Sequence, residues 1–242
     1  MNATLIAWHH LLWLVPPVLL VLWVLYRWGL DWVQAGRAMV GMVVRLVLIG
    51  FGLKYIFDAP NGGVILLVLS VMLAAASWIG LRTLPQEARM RVLPKAFGVL
   101  VVVGGTILAL VSQGVLRADP WYNPRVLIPL GGMIFANAMN TLSLGLERLH
   151  AELRTGQSYE PAREAAMRAA LIPVINALMS VGLVSLPGMM TGQILAGVSP
   201  LIAVRYQIMV MAMIFAASVL SLAALFVWAR PELLATLAEE PA

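Results

Sequence analysis

Long apolar runs recur along this chain, and they limit its possible folds more than any other feature. Of the 242 residues, 62% are hydrophobic and only 11% are charged, whereas soluble domains have about 25% charged residues. A helix needs roughly 20 mostly apolar residues to cross a bilayer. Such runs occupy most of the chain, and a water-soluble globule could not bury so much apolar surface. The sequence therefore predicts an all-α, polytopic membrane protein.

About seven runs are expected to be transmembrane helices of one domain covering residues 1–242. Their approximate bounds are 8–26, 40–57, 62–81, 96–116, 126–146, 169–186 and 206–229. Pro16 and Pro17 predict a kink in the first span, because proline removes a helical hydrogen bond. The first run has no basic segment before it and no small-residue cleavage site after it. We interpret it as a retained span rather than a signal peptide.

The sixth apolar region is unusual, because residues 169–204 carry no charged side chain. This stretch is longer than one span but too short for two spans and a loop. Pro187 and Gly188 lie in its middle and predict a broken or re-entrant segment at 187–200. Irregular backbone at membrane depth occurs where it is buried in protein or lines a cavity. Gly188 and Gly192 also have the spacing of small residues at close helix contacts.

The distribution of Lys and Arg predicts the orientation of the spans. Eleven of these residues lie in the first, third and fifth loops and the carboxyl tail, and four lie in the other loops. Positive residues concentrate on the cytoplasmic side. We therefore predict an external amino terminus and a cytoplasmic carboxyl terminus. The most polar cytoplasmic loop covers residues 147–168.

Several function classes are disfavoured by what the sequence contains. The net charge is +5, but the basic residues fall in short loops, which is typical of topology signals and not of a nucleic-acid surface. The sequence has no cysteine, and its three histidines lack metal-ligand spacing, so no metal site is predicted. Its two lysines, Lys54 and Lys95, do not follow glycine, so no phosphate-binding P-loop is possible. No catalytic residues are predicted, and the chain is not expected to be an enzyme.

Polar residues inside the spans have two possible roles. Arg45 is either part of a transport path or a side chain that extends towards the cytoplasmic surface. Asn137, Asn140 and Asn176 either join helices or line a polar path. The 14 methionines are either soft metal ligands or flexible apolar filler. The candidate pathway residues are Arg45, Asn137, Met139, Asn140, Asn176, Met189, Met190, Thr191, Gln193, Tyr206 and Gln207.

Five stretches of the sequence resemble the FetB-type ABC transporter permeases, the membrane subunits of exporters proposed to carry iron in bacteria. They are Gly52–Phe57, Asn137–Asn140, Ala170–Pro173, Val181–Gly192 and Arg205–Val210. The string Ser185–Gly192 is the most specific of them. The resemblance extends from the second span to the seventh.

This resemblance implies a permease that exports a metal ion such as iron, or another small solute, across the bacterial inner (plasma) membrane. The permease would form a homodimer and pair with a separate cytosolic ATPase. ATP would bind that partner, and this chain would hold no cofactor. Loop 147–168 would couple to the ATPase, but it is shortened relative to the family pattern. The alternative is therefore an ATP-independent channel or a membrane scaffold derived from such a permease. The expected coupling residues are Arg148, Glu152, Arg154, Arg163, Glu164 and Arg168.

Overall fold

The structure is a computed structural model that describes residues 7–58 and 61–238, and these residues are almost entirely helical. They divide into two units. One contains residues up to 59 together with Leu195–Gly197, and the other contains residues 60–194 and those from 198 onward. The assignment of residues 1–242 to a single permease domain stays a prediction.

The first unit begins with a 3₁₀-helix, Trp8–Leu14, which leads directly into α1, Val15–Arg27. Pro16 and Pro17 occupy the first turn of α1, directly after the 3₁₀-helix ends, and the kink predicted there stays a prediction. The first-turn N–H groups have no partner within a helix, so proline fits there without loss of a hydrogen bond. Helix α2 follows as Trp32–Asp58 and begins earlier than the predicted span at residue 40.

The remaining helices follow in the order of the sequence. They are α3 (Gly62–Gly80), α4 (Gln86–Val99), α5 (Gly105–Ala109), α6 (Pro124–Arg154), α7 (Tyr159–Ser180), α8 (Gly188–Leu195), α9 (Pro200–Trp228) and α10 (Arg230–Ala238). Two π-helical segments, Leu100–Gly104 and Leu110–Val115, flank α5. The backbone therefore stays helical from residue 86 to residue 115. This helical stretch begins ten residues before the predicted start of the fourth span at residue 96.

Helix α6 is the centre of the second unit and packs against α3, α7 and α9. Its buried side chains recur at helical spacing, as in Ile134, Ala138, Leu142 and Leu146, which is the pattern of one apolar face. A Cβ added at Gly145 would lie 2.6 Å from Leu222 Cδ1 of α9. Glycine at this position therefore lets α6 and α9 approach closely.

Six helical stretches of the described residues are long and apolar enough to cross a membrane. They are His9–Arg27, Trp32–Phe57, Gly62–Gly80, Gln86–Val115, Pro124–Arg154 and Pro200–Trp228. Helix α7 is the counterpart of the sixth predicted span, and it carries its charged residues in its first half. The predicted fold class, an all-α polytopic membrane protein, is confirmed.

The predicted bounds near the sixth span need correction. The expected helix at 169–186 is α7, which begins at Tyr159 and ends at Ser180, because Val181 is extended and Gly182 has a φ of +81°. Loop 147–168 is not a long loop, since α6 and α7 cover all of it except 155–158. The predicted break before the last long helix is present, with the short α8 between two non-helical segments.

Candidate functional site

A four-residue turn, 155–158, joins α6 to α7 and is tightly built. The Thr155 hydroxyl donates a hydrogen bond to the Glu152 carbonyl at 2.7 Å. Gly156 has a φ of +84°, and its N–H donates to the Leu153 carbonyl at 3.0 Å. A glycine in this left-handed conformation is the usual end of a helix. The charged region at 147–168 is therefore a helical hairpin with a hydrogen-bonded turn.

The first turn of α7 is linked to the end of α9. The hydroxyl of Tyr159, a residue only 4% exposed, donates a hydrogen bond to the Phe226 carbonyl. The Arg230 guanidinium pairs with Glu160 Oε1 at 2.8 Å and lies 4.7 Å from the centre of the Tyr159 ring. Burial raises the pKa of Tyr159, so its hydroxyl remains a neutral donor at physiological pH.

Lys95 of α4 holds the same end of α9. Its ammonium donates to the Trp228 carbonyl at 2.9 Å and to Glu232 Oε2 at 2.6 Å. The hydrogen bond from Lys95 lowers the pKa of the Glu232 carboxyl. The last carbonyls of a helix have no partner within it, and a cation beside them is favourable. Side chains from α4 and α7 thus satisfy carbonyls in the last turn of α9.

The six predicted coupling residues lie on the two helices of the hairpin. Arg148 and Glu152 form an ion pair within α6, and Glu152 is buried. Arg154 is the last residue of α6. On α7, Arg168 lies 3.7 Å from Glu164 in an exposed pair, and Arg163 is half-buried one residue before Glu164. Their contact with an ATPase stays a prediction.

A small cavity lies between α6, α7 and α9 and has a volume of about 100 Å³. Its polar wall comes from α6, where Asn137, Asn140 and Thr141 line it, and Met211 of α9 lies opposite. Asn137 Nδ2 donates to the Met133 carbonyl at 2.8 Å. This bond does not use the Asn137 side-chain oxygen, which is an acceptor that a ligand could use.

Other candidate pathway residues lie away from this cavity. Asn176 is exposed on α7 and does not line it. Met139 packs against α3, since a Cβ added at Gly80 would lie 3.6 Å from its Cγ. Arg45 belongs to the first unit, and its guanidinium lies beside Gly41, one turn towards the start of α2. This position agrees with the interpretation of Arg45 as a side chain that extends towards the surface.

The broken segment and the start of α9 contain two amide oxygens with unmet hydrogen-bonding capacity. Gln207 is 5% exposed, and within the described residues neither its Oε1 nor the buried Oε1 of Gln193 has a hydrogen-bond partner. Tyr206 is 36% exposed. Met189, Met190 and Thr191 of α8 are half-buried, and the Thr191 hydroxyl donates to the Leu186 carbonyl at 3.2 Å.

The last turn of α9 and the first turn of α7 meet at one end of the helices, which we call the charged end. Sequence reasoning missed the residues that fix it, namely Lys95, Tyr159, Glu160, Arg230 and Glu232. Their partners are distant in the sequence, and no local pattern indicates them. The described residues contain no group of three or more His, Cys, Asp or Glu side chains that could hold a metal ion.

The long apolar helices, the charged hairpin and the broken segment together define a polytopic helical membrane protein. The family model described as Uncharacterised protein family (UPF0014) matches residues 8–234. The chain therefore belongs to the UPF0014 family. No solved structure matches it.

Three relatives show the range of this similarity. The UPF0014 membrane protein slr1647 of Synechocystis is 39% identical over 202 residues, which is 74% of each chain. The probable iron export permease protein FetB of Escherichia coli is 32% identical over 78% of this chain and 75% of its own. The protein ALUMINUM SENSITIVE 3 of Arabidopsis thaliana is 32% identical over 74% of this chain and 69% of its own. The resemblance to FetB-type permeases is confirmed.

Proposed function

We propose that this protein is the membrane-spanning permease subunit of an ABC transporter and exports a metal ion such as iron, or another small solute. A separate cytosolic ATPase would drive it, and two permease subunits would pair in the bacterial inner membrane. The observation that carries this proposal is the 32% identity with the probable iron export permease FetB over 78% of the chain. ATP would bind the ATPase rather than this chain.

The contacts at the charged end support the proposed orientation. Charge counting assigns Lys95, Glu160 and Arg230 to three separate cytoplasmic segments of the sequence. In the structure, Arg230 contacts Glu160, and Lys95 contacts Glu232 two residues beyond Arg230. Three segments assigned to one side of the membrane therefore meet at one end of the helices. With this end in the cytoplasm, turn 155–158 would face the ATPase.

The cavity between α6, α7 and α9 is the proposed part of the transport path. Asn137 and Asn140 offer amide groups there, and Met211 offers a thioether. The amide oxygens of Gln193 and Gln207, which have no partner among the described residues, extend the set of available acceptors in the same unit. Amide and thioether groups bind metal ions weakly, which suits a path from which the solute must leave.

One observation favours the alternative, an ATP-independent channel or membrane scaffold. The connection between α6 and α7 has only the four residues 155–158, so the hairpin has no separate docking helix between its arms. An ATPase would have to bind the ends of α6 and α7 directly.

The proposal is tested by co-expressing the chain with candidate ABC ATPases and reconstituting the purified complex in liposomes. We expect an ATPase to co-purify, its ATP turnover to rise, and Fe²⁺ flux to require ATP. The absence of a co-purifying or stimulated ATPase would contradict coupled transport. Flux that persists without ATP would favour a channel, and a stable oligomer without flux would favour a scaffold.

The path is tested in the same liposomes with Asn137→Leu. We expect Fe²⁺ flux to fall by about tenfold, the effect of removing one desolvated hydrogen-bonding group. Gln113→Leu is the matched control, because Gln113 is exposed, lies outside this cavity and loses the same amide. Unchanged flux in Asn137→Leu would exclude an amide-lined path at this position.

A further inference from the structure

The first turn of α7 contacts the last turn of α9 and the first residue of α10 through Tyr159, Glu160, Arg230 and the Phe226 carbonyl. We infer that this contact, the α7–α9 joint, transmits ATPase-driven movement of turn 155–158 to α9. Tyr159, Glu160 and Arg230 are then positioning residues for transport. The inference rests on the proposed function, because it requires an ATPase that binds the hairpin.

On the α7 side, the joint begins immediately after the turn. Tyr159 is the first residue of α7 and directly follows 155–158. The turn itself is fixed by the Thr155 and Gly156 hydrogen bonds to the end of α6. On the other side, the Ser158 carbonyl accepts a hydrogen bond from the Ala162 N–H of α7 at 3.2 Å. Because the turn is hydrogen-bonded to both helices, a force on it would displace Tyr159 and Glu160 with it.

On the α9 side, the joint acts on the end of a long, continuous helix. Helix α9 has 29 residues and is therefore roughly 44 Å long at 1.5 Å per residue. It places Met211 in the cavity with Asn137 and buries Gln207 nearer its start. Its first residue, Pro200, follows the broken segment. A tilt or shift imposed at Phe226 would therefore change both the cavity and the opposite end of the helices, where α9 follows the broken segment. We call this opposite end the broken end.

The two parts of the joint have different strengths. The Tyr159 hydroxyl bond is buried, and loss of a buried partner leaves a carbonyl without a donor. The Glu160–Arg230 pair has both side chains about half exposed, and an exposed pair is weak and screened by salt. The hydroxyl bond can fix the position of α9 while the ion pair breaks and reforms during a cycle.

Loss of the joint should uncouple movement without unfolding the protein. The end of α9 is also held by Lys95, which donates to the Trp228 carbonyl and to Glu232. Close packing of Leu222 against α6 at Gly145 holds the helix further along. In a variant that lacks the joint, these contacts would keep α9 in place while turn 155–158 moves without it.

The test compares Tyr159→Phe, Glu160→Arg and Arg230→Glu with the double reversal Glu160→Arg/Arg230→Glu. The permease–ATPase complex in liposomes is assayed for ATP turnover and Fe²⁺ flux. We expect each single variant to keep ATP turnover within twofold, while Fe²⁺ moved per ATP falls at least fivefold. The double reversal should recover at least half of the loss. The control is Glu87→Arg, an exposed residue of the first turn of α4, which should behave as the unsubstituted protein.

A second measurement follows α9 itself. The chain has no cysteine, so Leu201→Cys on α9 and Leu67→Cys on α3, both exposed, can be spin-labelled without background. We expect ATP and vanadate to change the distance between the labels in the unsubstituted joint, and Tyr159→Phe to abolish the change. An unchanged distance with the intact joint, or an equal change in the variants, would overturn the inference alone. If no ATPase binds the unsubstituted protein, the proposed function fails and the inference fails with it.

Discussion

The two ends of the α6, α7 and α9 helices are held by different kinds of contact. At the charged end, Tyr159 and Lys95 bind the last carbonyls of α9. At the other end, the chain leaves α7 at Ser180, and Leu183 is 87% exposed. The buried Gln207 Oε1 there has no partner within the described residues. The charged end is therefore fixed by specific polar contacts, whereas the broken end retains polar groups that can bind something else.

The largest expected effect tests how tightly α6 and α9 pack towards the charged end. Gly145→Ala should destabilise the protein by about 1–3 kcal/mol, because the new Cβ overpacks a filled site. That Cβ would lie 2.6 Å from Leu222 Cδ1, and Leu222 is completely buried. The measurement is thermal or denaturant unfolding of the purified protein in detergent, followed by tryptophan fluorescence.

Gly105→Ala is the matched control for this prediction. Gly105 is also helical, but a Cβ added there meets nothing within 4 Å. Gly105→Ala should raise the free energy of unfolding by about 0.5–1 kcal/mol, because alanine restricts the unfolded chain more than glycine. Equal effects of the two substitutions would show that the α6–α9 contact at Gly145 is not closely packed.

The next effect tests the broken end and has the opposite sign. Gln207→Met keeps nearly the same side-chain shape but removes a buried acceptor that has no partner in the described part of the chain. We expect the free energy of unfolding to rise by about 1 kcal/mol, because the substitution removes the cost of leaving such a group unpaired. Fe²⁺ flux should fall, because stability gained at a functional position commonly costs activity. Stability is followed by unfolding in detergent and flux in liposomes.

Ser218→Ala is the matched control for Gln207→Met, because it removes a similar polar group closer to the charged end. Ser218 Oγ is also buried without a partner in the described part of the chain, but it lies on α9 nearer the charged end. Its loss should stabilise the protein without lowering flux. If both variants reduce flux equally, or if Gln207→Met destabilises the protein, the two ends do not differ in the proposed way.

The sequence predicts the broken end well because the relevant signals are local. Pro187, Gly188 and the absence of charge from 169 to 204 are all visible in one stretch. The helix break itself is found between Ser180 and Pro200. The bounds are less accurate, because charged residues mark the end of an apolar span but not the end of a helix, and the charged start of α7 is a good helix-forming segment.

The charged end could not be predicted in detail because its contacts join distant residues. Tyr159 and Phe226 are 67 residues apart, and Lys95 and Glu232 are 137 apart. Neither pair follows a helical or other short-range spacing. The loop count puts the segments of Lys95, Glu160 and Arg230 on one side, and these segments do meet. Only the packing of α4, α7 and α9 decides which charged residue meets which carbonyl.

The smallest effect concerns the second contact of the charged end, between Lys95 and Glu232. Lys95 lowers the pKa of the Glu232 carboxyl in the folded protein. The contact therefore stabilises the fold fully above the ordinary glutamate pKa, about 4.3, and is lost as the pH falls through the lowered pKa. Since both side chains are about one-quarter exposed, the effect should stay below about 1 kcal/mol.

Unfolding is measured from about pH 7 to about pH 3 in the unsubstituted protein and in Glu232→Gln. The unsubstituted protein should lose more stability over this range, and the difference should shrink at high salt because exposed charges are screened. Lys95→Gln should remove the same pH-dependent part, since the cause of the lowered pKa is lost with the ammonium. If Glu232→Gln retains the full pH dependence, the end of α9 is held by the Tyr159 and Arg230 contacts and not by this pair. The charged end would then depend on the α7–α9 joint alone, and variants of the joint would destabilise the protein as well as uncouple it.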